Sequence, residues 1–137
     1  MNRVLKATVL FFILTGITWQ AVAFSEADLQ KLKSSLKCPK CDLAGADLSG
    51  AKLAGANLTY ANLDKARLFR ANLAGANLTE ADLTEIDLGF ADLTGADLSG
   101  ANLIDAYMED TNLQDANLGR PVATYDGFGL PPDPLFI

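Results

Sequence analysis

One unit recurs without a gap from residue 41 to residue 118: Ala, then Asp or Asn, then Leu, then two variable residues. Sixteen units are in register, and fifteen of the sixteen centres are Leu, the exception being Met108. The residue two before the centre is Ala in thirteen units, with Cys41, Ile86 and Thr111 as exceptions. The residue one before it is Asp or Asn in thirteen, with Lys52, Arg67 and Tyr107 as exceptions. A period of five fits neither regular element. On an α-helix five residues turn the chain by about 500°, so successive leucines spiral around it. On a flat strand an odd period sends them to alternate faces. Identical units imply identical environments for the leucines, and a chain that turns a corner at every unit provides them. Leu and the small residue two before it then point inward together, because a narrow tube has no room for two large side chains per unit. Gly45, Gly50, Gly55, Gly75, Gly95 and Gly100 stand at the second variable position, where corners are expected.

Runs such as ADLSGAKLAGANLTYANL and ADLTGADLSGANL resemble the pentapeptide-repeat family. The resemblance implies an all-β, right-handed, four-sided β-helix solenoid with four units per coil. Sixteen units then form about four coils (41–60, 61–80, 81–100, 101–120), a tube roughly 19 Å long at about 4.8 Å per coil. Four units per coil makes residues twenty apart vertical neighbours. Like charges stacked on one another are destabilising. At an offset of twenty the columns read Asp42-Asn62-Asp82-Asn102, Asp47-Arg67-Asp87-Tyr107, Lys52-Asn72-Asp92-Asn112 and Asn57-Asn77-Asp97-Asn117, with no like charges in contact. An offset of fifteen stacks Lys52 on Arg67 and Asp82 on Asp97. An offset of twenty-five also avoids clashes, so the charges disfavour three sides and the resemblance selects four.

Residues 1–23 differ in composition from the rest. Arg3 and Lys6 precede an apolar run, Ala7 to Ile17, and Ala21-Val22-Ala23 is a small-x-small cleavage signal. This is the layout of a secretory signal peptide; the apolar stretch is short for a span of about 20 residues. The sequence predicts export, with no membrane association after cleavage. The formal charge is −6, and it becomes −8 for residues 24–137, which argues against nucleic-acid binding through phosphate neutralisation.

Ser25-Glu26-Ala27-Asp28 resembles a capping box, and Leu29, Leu32 and Leu36 share one helical face. A helix over 25–37, laid on the first coil, is expected, with 24–40 serving as cap and linker. Residues 121–137 carry four prolines and several large apolar residues, and read as a cap on the last coil or as a tail.

Histidine is absent, which excludes Ser/His and Cys/His catalysis and His-ligated metals. Cys38-Pro39-Lys40-Cys41 is a C-x-x-C. Two cysteines alone cannot close a zinc site, and no metal or cofactor is expected. In an exported chain the pair reads as a structural disulfide. Exchange-active thiols are the alternative, since Lys37 and Lys40 would depress a thiol pKa. The Asp residues are separated along the columns, and the nonapeptide calcium repeat is absent.

In a solenoid the outward positions are available for binding. The side centred on Leu48, Leu68, Leu88 and Met108 collects Arg67, Phe69, Arg70, Asp87, Phe90, Tyr107, Glu109 and Asp110. Aromatics beside Arg are the makings of a recognition surface; mutual support, such as Arg67 beside Asp87, is the competing reading. Some members of the resembled family are thought to imitate duplex DNA and protect gyrase. Export, short length and the basic residues Lys52, Lys65, Arg67 and Arg70 weigh against that here. The expectation is a non-enzymatic module that binds a protein partner, or alternatively a thiol–disulfide protein using Cys38 and Cys41. The resemblance implies a bacterial source, for instance a cyanobacterium, and hence periplasm or thylakoid lumen.

Overall fold

A computed structural model of the chain describes residues 24–119. The segment read as a signal peptide and the segment read as a C-terminal cap lie outside them. Among the described residues one helix, α1 (Glu26–Ser35), precedes a stack of turns. Thirteen isolated parallel bridges link the turns, and every one joins residues twenty apart. They fall into four columns, and those four contain the columns read from the charges. The bridging begins at Lys37, paired with Asn57, four residues before Cys41. Among the described residues no continuous strand forms, because each unit contributes one bridging residue before the chain turns again.

The unit 61–65 shows how the repeat satisfies its backbone. The Asn62 amide donates down to the Cys41 carbonyl (2.9 Å), while Leu63 and Lys65 donate up to Asp82 and Thr84 (both 2.8 Å). The Ala66 amide closes the turn on the Leu63 carbonyl (3.0 Å). The amide of Asp64 is left, and it donates to the side-chain oxygen of Asn62 (3.1 Å). The corner residue, two after the leucine, takes a positive φ whether or not it is glycine: Gly50 has 67°, and Lys65, Arg70 and Phe90 have 56°, 58° and 57°. Left-handed backbone costs a non-glycine residue about 1–2 kcal/mol, so glycine is favoured at the corner but not obligatory.

The leucines and alanines of the inner positions form one continuous core: Leu43, Leu63, Leu83 and their counterparts are buried, with Ala or Ile86 beside them. Gross burial of each leucine is worth about 1.5–3 kcal/mol. At the N-terminal end Leu29 and Leu32 of α1 are buried against this core. Ser25 caps the helix, its hydroxyl oxygen accepting from the Asp28 amide (3.2 Å). The helix is shorter than the expected 25–37 because Leu36 adopts the left-handed conformation (φ 56°) and turns the chain into the first bridge. Asp28 does not complete a capping box. Its carboxylate instead accepts from the Asp42 amide (3.0 Å), and the Ser25 amide donates to the Asp42 carbonyl (2.9 Å). These two bonds dock the helix on the ladder. No helix among the described residues is long and apolar enough to cross a membrane.

Candidate functional site

The bridges Asp47–Arg67, Arg67–Asp87 and Asp87–Tyr107 run up one column and bring the predicted surface residues onto one side. Phe69 and Phe90 meet edge to face, with centroids 5.6 Å apart and planes at 73°. The Arg70 guanidinium lies over both rings, 5.2 Å from the Phe69 centroid and 5.8 Å from that of Phe90. Phe90 is 48% exposed and Tyr107 is 51% exposed, while Phe69 is half-buried. The cluster is seated by Gly89, which the sequence reading did not single out. A Cβ there would stand 3.1 Å from Tyr107 Cε1 and 3.2 Å from Phe69 Cδ2. The missing side chain therefore leaves the hollow into which the rings above and below lean.

Charge surrounds the rings. Arg67 Nη1 lies 3.8 Å from Asp47 Oδ2, so its ion pair goes to the coil before and not to Asp87. The Asp87 carboxylate is occupied by the Gly89 amide (3.0 Å). The Tyr107 hydroxyl donates to the Glu109 carboxylate. Among the described residues no carboxylate pairs with Arg70, whose guanidinium is held by the two rings alone. Tyr60, 56% exposed, belongs to another column and stands apart from the cluster.

This side is also where the repeat departs most from its own rule. Arg67, Ile86, Tyr107 and Met108 replace an Asp or Asn, an Ala, an Asp or Asn, and a Leu. Thirteen units satisfy the amide after the leucine through an Asp or Asn side chain, and Arg67 and Tyr107 cannot.

The cysteines lie at the helix–ladder junction. Cys38 and Cys41 are 0% and 2% exposed, their Cα atoms are 5.3 Å apart and their sulfurs are at bonding distance. Cys38 stands at a leucine position and Cys41 at an alanine position of the ladder. Asp28 brings a carboxylate within 4.8 Å of both sulfurs, a third potential ligand that spacing alone did not reveal. That carboxylate already accepts from the Asp42 amide, and sulfurs joined to each other are not thiolate ligands.

Comparison with known proteins places this geometry among others of its kind. The family model "Pentapeptide repeats" matches in eight copies, over residues 40–73, 66–88 and 81–120, more than half of the chain. A pentapeptide repeat protein from the Arabidopsis thaliana thylakoid lumen, solved by crystallography, is 35% identical with a TM-score of 0.58; the match covers 67% of this chain and 60% of that one. HetL, involved in heterocyst differentiation regulation in the cyanobacterium Nostoc sp. strain PCC 7120, is 34% identical over 60% of this chain and 46% of its own, with a TM-score of 0.42. Another Nostoc pentapeptide repeat protein is 37% identical over 67% of this chain and 74% of its own, with a TM-score of 0.40. The chain thus spans less than two thirds of the Arabidopsis protein and of HetL. No curated protein matches. The ladder of five-residue units is a right-handed β-helix, and the chain belongs to the pentapeptide repeat family.

Proposed function

We propose that this pentapeptide repeat protein is an exported, non-catalytic module that binds a protein partner through the side carrying Arg67, Phe69, Arg70, Asp87, Phe90 and Tyr107. The observation that carries the reading is the cluster itself: exposed rings and a guanidinium held over two of them, seated over Gly89, on the side where the repeat departs most from its rule. Aromatic anchors beside Arg dominate the binding energy of protein interfaces. Arg67, Arg70, Asp47 and Glu109 mix both signs of charge on one side, which suits a protein surface better than imitation of a uniformly anionic duplex. The twenty-residue pairing and its four columns support a four-sided tube of about four coils, which would hold the cluster rigid. Export rests on residues 1–23, and the similarity to a thylakoid-lumen protein agrees with it. Cross-linking in the native compartment tests the proposal. Adducts of the wild-type chain should be lost from a Phe69→Ser, Arg70→Ser, Phe90→Ser variant whose thermal unfolding still shows a folded ladder. Unchanged adducts would remove this surface from consideration.

The C-x-x-C supports a second reading, thiol–disulfide exchange. Burial of both sulfurs favours a structural disulfide pinning α1 to the first coil. Replacing both cysteines with Ser separates the two. A structural bridge predicts a lower melting temperature; an exchange role predicts lost thiol exchange with the melting temperature unchanged.

A further inference from the structure

The side that carries the aromatic cluster changes sign along the ladder. It lies between two corner columns, Gly45–Lys65–Glu85–Asp105 and Gly50–Arg70–Phe90–Asp110, whose register is fixed by the corner amides, as when Lys65 donates to Thr84 and Arg70 to Gly89. In the second coil this side carries Lys65, Arg67, Phe69 and Arg70 and no acid. In the fourth coil it carries Asp105, Tyr107, Glu109 and Asp110 and no Lys or Arg. All six charged side chains are exposed. Among the described residues Arg70, Asp105, Glu109 and Asp110 form no ion pair. Two rows of opposite sign, one coil apart from a common middle row, make this side complementary to an inverted copy of itself.

We propose that a second copy of this chain docks on this side, antiparallel, about a two-fold axis through the third coil. This names the partner in the function proposed above and rests on that reading. Such an axis sets the second coil of one copy against the fourth coil of the other and exchanges the two corners of the side. Arg70 then faces Asp105 of the second copy, Lys65 faces Asp110 and Arg67 faces Glu109, while Phe69 faces Tyr107. In the third coil Glu85 faces Phe90 and Asp87 faces Gly89, so no like charges meet on the axis. The Arg70 guanidinium stacks on the two rings, which leaves its N–H edge for the facing carboxylate. Other arrangements oppose like charges, which is destabilising. Sliding one copy by a coil sets Asp47 against Glu109 in one direction and Glu85 against Asp110 in the other. A parallel pair sets Lys65 against Arg70 and Asp105 against Asp110. One side of a tube roughly 19 Å long falls short of the about 800 Å² per partner of a stable interface, so the pairing is weak and salt-sensitive, and the charges set its register.

Sedimentation equilibrium tests this on the chain as it accumulates in its native compartment, at up to about 1 mM and low salt. A monomer–dimer equilibrium should weaken at least about tenfold in Arg70→Glu and in Asp105→Arg, and return to within about threefold of the unaltered chain when both substitutions are combined, because the facing charges are then exchanged. The corner accepts either kind of side chain, as Glu80, Glu85 and Lys65 show with φ of 57°, 51° and 56°, so the ladder should fold in all three variants, which thermal unfolding checks. Three results would overturn the proposal: a chain monomeric over the whole range, a dimer indifferent to both reversals, or a double variant as weak as the single ones. If one of these is found while the Phe69→Ser, Arg70→Ser, Phe90→Ser variant loses its adducts to a different protein, the surface stands and the second copy is excluded. If those adducts persist as well, the surface falls with it.

Discussion

The Asp or Asn before each leucine is a backbone partner as much as a surface residue. In all thirteen units that have one, its side-chain oxygen accepts the amide two residues on, as Asn72 does from Ala74 (3.0 Å) and Asp97 from Ser99 (2.9 Å). Lys52 has no such oxygen, and the Ala54 amide is left to solvent. Lys52→Asn should therefore raise stability by about 0.5–1 kcal/mol, measured by denaturant unfolding. Where that residue is Ser or Thr, its hydroxyl donates to the same oxygen in five of six units, as Ser99 does to Asp97, and Asn117 donates to Asp97 from the coil above (3.2 Å). The hydroxyl and amide of Ser99 hold the Asp97 carboxyl below the ordinary carboxylate range, and Thr94 does the same for Asp92. A lowered folded value means that the unfolded chain takes up the proton first. The contribution is whole above the unfolded value and is lost as pH falls through the folded one. Titration followed by carboxyl NMR should show Asp97 below the ordinary value in the native chain and closer to it in Ser99→Ala. The signal for this bond was on view in the sequence, since Asp and Asn prefer to bond the backbone two residues ahead. Reading those residues only as columns of charge passed over it.

At the scale of the element, α1 is held by a residue whose ordinary role is elsewhere. Asp28 stands where a capping box would place an acid, yet its carboxylate reaches the Asp42 amide. Asp28→Ala should lower stability by about 1–2 kcal/mol, since a partly buried amide loses a charged acceptor. Hydrogen exchange should speed at Asp42 and not at Asn72. The helix itself was readable from Ser25 and the leucine spacing, because these are local signals. The Asp28–Asp42 contact was not, because it depends on how the helix lies on the coil. The start of the bridging at Lys37 was hidden for a related reason. Cys38 fills the leucine position and Leu36 the alanine position, so the motif is unrecognisable while the backbone path continues. For the surface cluster, the sequence placed its members on one side through the offset of twenty. It could not show that Arg67 pairs with Asp47, that Arg70 spans two rings, or that Gly89 makes the hollow, since those depend on rotamers and close approach.

Over the whole molecule, stability comes from one repeated contact. Each leucine of the inner coils is stacked between side chains one coil above and below, and Leu73, central in the ladder, has no exposure. Leu73→Ala should cost about 2–5 kcal/mol in denaturant unfolding, because neighbours tied on both sides cannot collapse into the space. The ladder rests on long-range pairs nineteen to twenty-one residues apart, and its register follows from a strict sequence period. The same regularity makes the exceptions informative, since four of the seven, Arg67, Ile86, Tyr107 and Met108, gather on one side. The most direct test of the twenty-residue register is the scalar coupling across backbone hydrogen bonds, observed by NMR between an amide nitrogen and the carbonyl carbon it donates to. The Leu63 amide should couple to the Asp82 carbonyl and the Leu73 amide to that of Asp92. Coupling from either amide to a carbonyl of a neighbouring unit, five residues nearer or farther along the chain, would contradict the register and with it the shared surface of Phe69, Arg70 and Phe90.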